Sequence, residues 1–361
     1  MSSLNSQNFK SPHHSEENLE RTPITFASAI AKLTNLALEE FDREIAQKQL
    51  YYHTREHINN VQHRANIIFQ AIRPHWETSL KDNAAPDYMA RMQLLLDICA
   101  TAHDMLQLFV PETQPHKSRR REMGVSEAAT IEKLFEYINI LNQQQCEQNL
   151  NSLARFSDAD LLIIQDAIEA TICIYEPSEQ AIYQPALYDS SKPLSPLAII
   201  IALADIGALG MEGVAAYERE GSLLFLEENP DVIPILLNHK TLASENPELY
   251  ENIRQRLLRR ARFQISFAKS RLTRYAREIE HLPADAIEVL TYQVFQYLNP
   301  TTIQEIDSRT PTAEDTPLEA LITFFKLEHY ISSIIEKTGV ENELTIICGQ
   351  NVQNILDIPR E

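Results

Sequence analysis

Four side chains in this sequence have the types that bind a metal together: His57, the adjacent His103 and Asp104, and Asp205. Two imidazoles and two carboxylates make a mixed nitrogen and oxygen donor set, suited to Mg, Mn, Fe, Co, Ni or Zn. The 103–104 pair ends an apolar segment that begins at Leu94, and Asp205 is the one charged residue in an apolar helix expected from Leu197 to about Leu209. An ionisable group at the end of an interior helix must be compensated by partners or by a metal. Spacing alone leaves both compensations open for each residue, since histidine beside aspartate also occurs in ordinary structural roles. His53 lies four residues before His57, so a helix reaching back to residue 53 would turn both rings the same way.

Helices have to position these groups. The chain has 361 residues, 44% of them apolar, with only seven glycines, and this favours helices over turn-rich sheets. The expected class is all-α. Ile30, Leu33, Leu36, Ala37 and Phe41 mark a first amphipathic helix, and Ile58, Val61, Ala65 and Ile68 a second over 54–72. Pro74 and the polar stretch to Pro86 predict a break before the helix that ends at His103. Ser126 begins a helix to Ile140, and Ser157 with Asp160 forms a capping box that starts another, to Ile174. Residues 175–193 are expected to be a loop long enough to serve as a lid. Ser195 followed by Pro196 starts the helix that carries Asp205. Residues 210–241 mix short helices and loops, a long helix runs from about Pro247 to His281, and Pro283 ends it. Helices over 284–298 and 317–337 are joined by a polar loop at 299–316, with Gly339 as a helix terminator.

A formal net charge of −19 argues against general affinity for nucleic acid or anionic membranes, although local basic patches can override it. Cys99, Cys146, Cys173 and Cys348 lack CxxC spacing and fit a reducing compartment. Residues 1–22 form a polar tail, expected to be disordered, in which His13 and His14 are solvated; it lacks the apolar core of a signal peptide. No apolar run reaches the length of a membrane span, so a cytoplasmic location is expected.

The motif Tyr52-His53-Thr54-Arg55-Glu56-His57, then Ala102-His103-Asp104 after an apolar helix, then Ala204-Asp205-Ile206-Gly207, resembles the HD-domain metal-dependent phosphohydrolase superfamily. Its Tyr-His-x3-His opening is similar to the branch that includes cyclic-nucleotide phosphodiesterases. The resemblance covers roughly residues 23–283 and implies an HD-type helical bundle in which His57, His103, Asp104 and Asp205 bind metal. It implies that His53 protonates the leaving oxygen, and that Glu127, in Ser126-Glu127-Ala128-Ala129, sits beside the metal as in the Asn-Glu-x-x-Ser segment of small bacterial relatives. A glutamate in a first helical turn is also commonly a surface residue that offsets the helix dipole. Residues 284–361 fall outside the resemblance and are expected to pack on the bundle or to mediate self-association as a homodimer.

One departure matters. Small bacterial relatives carry a histidine shortly after a threonine in the helix beyond the Glu segment, whereas Thr171 here is followed by Ile172, Cys173, Ile174 and Tyr175. One divalent metal site is therefore favoured over two, with His116 as a weak substitute. Lys117, Arg119, Arg120 and Arg121 form a basic cluster that can fork onto phosphate or remain solvated among local acids. The arginines at 254, 256, 259, 260 and 262 are expected to form ion pairs on exposed faces. The expected function is hydrolysis of a small phosphomonoester or phosphodiester, a nucleotide by preference, through metal-activated water. The alternative is a regulatory or scaffolding HD bundle that binds metal or nucleotide without turnover.

Overall fold

The structure, a computed structural model, describes residues 23–80, 87–111, 114–148, 152–189, 191–237 and 241–338. The tail at 1–22, Gly339 and Cys348 lie outside the described residues. The structure is 71% helical and its sheet has two short strands, so the class is all-α as the composition predicts.

Six helices build the main core: α1 (Phe26–Lys48), α2 (Arg55–Leu80), α3 (Tyr88–Ala102), α4 (Val125–Gln148), α5 (Asp158–Glu169) and α6 (Pro196–Asp205). Local chemistry sets their starts. Thr25 and Ser28 cap α1 reciprocally, Ser157 and Asp160 do the same for α5, and Ser195 caps α6 with Pro196 at its first position. Residues 197–204 of α6 are all buried, and this helix packs on α2, α3 and α5. The expected break at Pro74 does not occur. Helix α2 passes through it, and Trp76 beyond it joins the same buried cluster as Ile72, so tertiary packing outweighs the lost amide bond. Arg64 on this helix is fully buried and pairs with Glu212 and Glu220.

The expected loop at 175–193 is instead ordered. An antiparallel hairpin, β1 (Ile174–Glu176) with β2 (Ala181–Tyr183), pairs Tyr175 with Ile182 and leads into a 3-10 turn at Pro185–Tyr188. After α7 (Ala208–Glu212), residues read as short helices and loops form the fifteen-residue α8 (Val214–Glu228). Gly221 lies inside it because an added Cβ would collide with the Gln264 amide. Then come α9 (Val232–Leu236), α10 (Leu242–Glu245) and α11 (Pro247–Glu278), a helix of about 48 Å. This last helix contributes to three cores: Leu257 sits in one with Phe225, Ile265 in another with Tyr217, and Tyr275 in the main core.

Beyond it lie α12 (Ala284–Val289), a π-helical turn at Leu290–Val294, α13 (Pro300–Arg309), α14 (Leu318–Phe324) and α15 (Leu327–Thr338). Helix α13 corrects the reading of 299–316 as a loop: Asn299 caps it and Ile303 and Ile306 bury its inner face. Phe295 joins the main core and Phe325 packs on Phe225, so the C-terminal segment is built into the interior.

Candidate metal centre

The two apolar helices deliver their polar ends to one place. His103 is the C-terminal cap of α3 and Asp104 follows it; Asp205 closes α6; His57 lies in the first turn of α2. One donor atom from each of His57, His103, Asp104 and Asp205 lies within 4.8 Å of the other three. His57 Nε2 is 3.1 Å and His103 Nε2 3.0 Å from Asp104 Oδ2, and each is 3.7 Å from Asp205 Oδ1.

The far oxygens of the carboxylates are held by amides that the sequence reading missed. Gln107 Nε2 donates to Asp104 Oδ1 at 3.1 Å, and Gln184 Nε2 reaches Asp205 Oδ2 at 3.4 Å. Such outer contacts aim the remaining oxygens inward. On the imidazole side, His103 Nδ1 donates to the Ala100 carbonyl at 3.0 Å. A neutral ring then presents a bare lone pair at Nε2, and that atom is buried without a hydrogen-bond partner. Lone pairs and carboxylates facing one another call for positive charge. Burial opposes the charged form of His103, yet Asp104 and Asp205 drive its pKa well above the usual histidine range. Burial likewise opposes ionised Asp104, and His103, His53 and His57 hold it well below the usual carboxylate range. A divalent cation satisfies the same demand, so the donor set fits the metal that the resemblance implies.

His53 is not helical, because α2 begins only at Arg55; a turn closed by Thr54 N on the Tyr52 carbonyl places its ring 5.6 Å from that of His57. Its orientation comes from Glu227, on α8. One carboxylate oxygen accepts His53 Nδ1–H, and the other accepts the backbone N–H groups of Tyr51, Tyr52 and His53 at 3.0, 2.9 and 3.0 Å. Burial pushes the Glu227 carboxyl up, but His53, its backbone N–H and Arg121 bring it down to about 2. With Nδ1–H pinned, Nε2 is the accepting ring atom and takes a hydrogen bond from Arg121. It lies 3.6 Å from Asp104 Oδ2 and 3.2 Å from Arg121 Nη1.

These groups open onto a cavity of about 920 Å³, lined among others by His53, Asp104, Asp205, Glu127 and Arg121. Burial pushes the Glu127 carboxyl up, with Asp104 adding to the effect. The basic cluster divides. Arg119 donates to the carbonyls of Lys48, Gln49 and Glu227 and lies over the Phe109 ring, which makes it a clip between segments. Arg119, Arg120 and Arg121 all line the cavity, whereas Lys117 is exposed outside its lining. His116 faces Asp231 at 3.6 Å, also outside the lining.

The hairpin forms a wall of the cavity through Tyr175 and Ile182. Glu179 at its turn takes hydrogen bonds from Ser270 and Arg274, and Arg274 lies 3.9 Å over the Tyr183 ring, so this segment is fastened to α11. Compared with family models, curated proteins and solved structures, the chain finds no match.

Proposed function

We propose that this protein is an HD-type, metal-dependent phosphohydrolase acting on a small phosphomonoester or phosphodiester, with a nucleotide as the working substrate. The observation that carries this reading is the buried, unpartnered His103 Nε2 facing two carboxylates, with an oriented imidazole, His53, at the cavity wall beside them. His57, His103, Asp104 and Asp205 would hold one divalent ion, which supplies Lewis acidity and an acidified water when bound. Arg121 binds the phosphoryl oxygens from the cavity side. His53 holds a proton at Nε2 for the departing oxygen, while Glu227 keeps Nδ1–H fixed and stabilises the ring when charged. Glu127, with its raised pKa, exchanges a proton with solvent or substrate at the cavity wall. No helix among the described residues is long and apolar enough to cross a membrane. Cys99, Cys146 and Cys173 are free thiols, in keeping with work in the cytoplasm.

A second reading, an HD bundle that binds metal or nucleotide without turnover, is favoured by Arg121. Its guanidinium donates to His53 Nε2 at 3.2 Å and so occupies the atom that a general acid would present to the leaving group. Metal analysis of the purified chain, with phosphate release from mono-, di-, tri- and cyclic nucleotides, separates the two. Hydrolysis that chelator removes, and that His53→Ala and Asp205→Ala lose while remaining folded, supports the enzyme. Bound metal with no release from any ester supports the second reading, and activity that survives metal removal overturns the first.

A further inference from the structure

Beyond the metal centre the cavity continues between α8 and α11. On α11 it is lined by Arg256, Arg259, Arg260, Phe263 and Phe267, a spacing that puts them on one helical face. At about 1.5 Å per residue that wall is roughly 16 Å long, several times the width of a phosphate group. Its character changes along its length, from guanidinium groups to rings. Helix α8 runs antiparallel to it: Asn229, just past the end of α8, bonds Arg256, and Tyr217 stacks on Phe267.

Two distant segments build the cationic end. Asn229 Oδ1 accepts from Ser118 Oγ at 2.6 Å and from Arg256 Nε at 2.7 Å, and Arg119 N donates to the Glu228 carbonyl at 2.8 Å. These bonds hold residues 118–121 against the first half of α11, and Arg120, Arg259 and Arg260 line the same cavity. Arg256 is itself occupied by Asp231, at 2.6 and 2.8 Å. Among the described residues no side-chain hydrogen bond or ion pair engages Arg120, Arg259 or Arg260, and Arg260 Nε is buried without a partner. Arg260 lies 5.4 Å from the Phe263 ring, and Glu228 is the acid that interacts with it electrostatically. Three guanidinium groups left without bonded acids, in a chain of net charge −19, suit a ligand that brings its own negative charge.

We propose that Arg120, Arg259 and Arg260 form a second anion subsite, and that the ligand carries a second phosphate, remote from the one beside the metal centre. This rests on the phosphohydrolase reading for which phosphate is attacked; the subsite itself is tested by binding. The probes are adenosine 3′,5′-bisphosphate and adenosine 5′-monophosphate, titrated calorimetrically into the full chain, with phosphate release followed in parallel. The wild-type chain binds the bisphosphate about tenfold more tightly, the worth of one charge-assisted contact. Arg259→Ala, at an exposed position, reduces that preference, and Arg259→Ala with Arg260→Ala abolishes it while monophosphate binding stays unchanged. Equal affinities in the wild-type chain, or equal losses for both ligands in the variants, overturn the subsite. A preference that the variants lose, with no ester hydrolysed, keeps the subsite and discards the hydrolase; hydrolysis with a preference insensitive to both substitutions does the reverse.

Discussion

Replacing Glu227 by glutamine tests how His53 is held. The wild-type carboxylate accepts three backbone N–H bonds on one oxygen and His53 Nδ1–H on the other. Glutamine has one acceptor oxygen, and keeping it on the three backbone donors costs least. Its NH2 then faces Nδ1, so the imidazole must change tautomer, accept at Nδ1 and carry its proton at Nε2. Each backbone bond falls from charge-assisted to neutral, a loss of about 1 kcal/mol apiece, or roughly 3 kcal/mol together. Relief of a buried charge returns part of this, which leaves a destabilisation of about 2 kcal/mol. Across 361 residues that destabilisation should lower Tm in Glu227→Gln by about 3 °C. Nitrogen-15 spectra of labelled histidine should show His53 protonated at Nε2 instead of Nδ1. A Tm within about 1 °C of wild type, with the His53 tautomer unchanged, would refute the reasoning.

Adding a divalent cation at 100 times its Kd should stabilise the fold by about 2.7 kcal/mol. Chelator should reverse the shift in a thermal melt, and Asp205→Ala should abolish it; an equal shift in that variant counts against the site. At Asp160, burial pushes the carboxyl up, but Arg91, at 2.6 and 2.9 Å, and Ser157 hold it below its ordinary 3.8. A depressed folded pKa means that this stabilisation is complete above 3.8 and is lost as pH falls below that value toward the folded pKa. Arg91→Met should lower Tm at neutral pH and flatten the acid limb of the Tm profile; parallel acid limbs in the two proteins would rule the linkage out.

The helical class was legible in the composition, and His103, Asp104 and Asp205 stood out as ionisable groups in apolar helical segments, whereas their grouping with His57 came from the motif resemblance. The partners that aim them were not legible. Glu227 follows Leu223, Leu224, Phe225 and Leu226, so the argument that singled out Asp205 applied to it equally, but Gly213 and Gly221 lowered the helical signal of that stretch. Gly221 is there for clearance against Gln264, which no local pattern reveals. Helix α13 was misread although Asn299 and Pro300 repeat the cap and proline seen at Ser195 and Pro196. The cap was local and readable; the partners buried beneath Ile303 and Ile306 were not. Arg259 and Arg260 were read as ion-paired on exposed faces because helical spacing says which residues share a face, while only the tertiary fold says whether that face meets water or a cavity.

Arg64 has a consequence for how this chain can change over generations. Its guanidinium is fully buried, and its acids, Glu212 and Glu220, lie 148 and 156 residues further along the chain. Losing the arginine leaves the largely buried Glu220 without its cation, while Glu212, 32% exposed, can turn to water; losing Glu220 leaves the buried guanidinium with Glu212 alone. Either single step is costly, whereas joint replacement by well-packed apolar side chains can be neutral or favourable. Arg64 and Glu220 are thus coupled, and a path from this interior to an uncharged one is expected to run through intermediates less stable than either end.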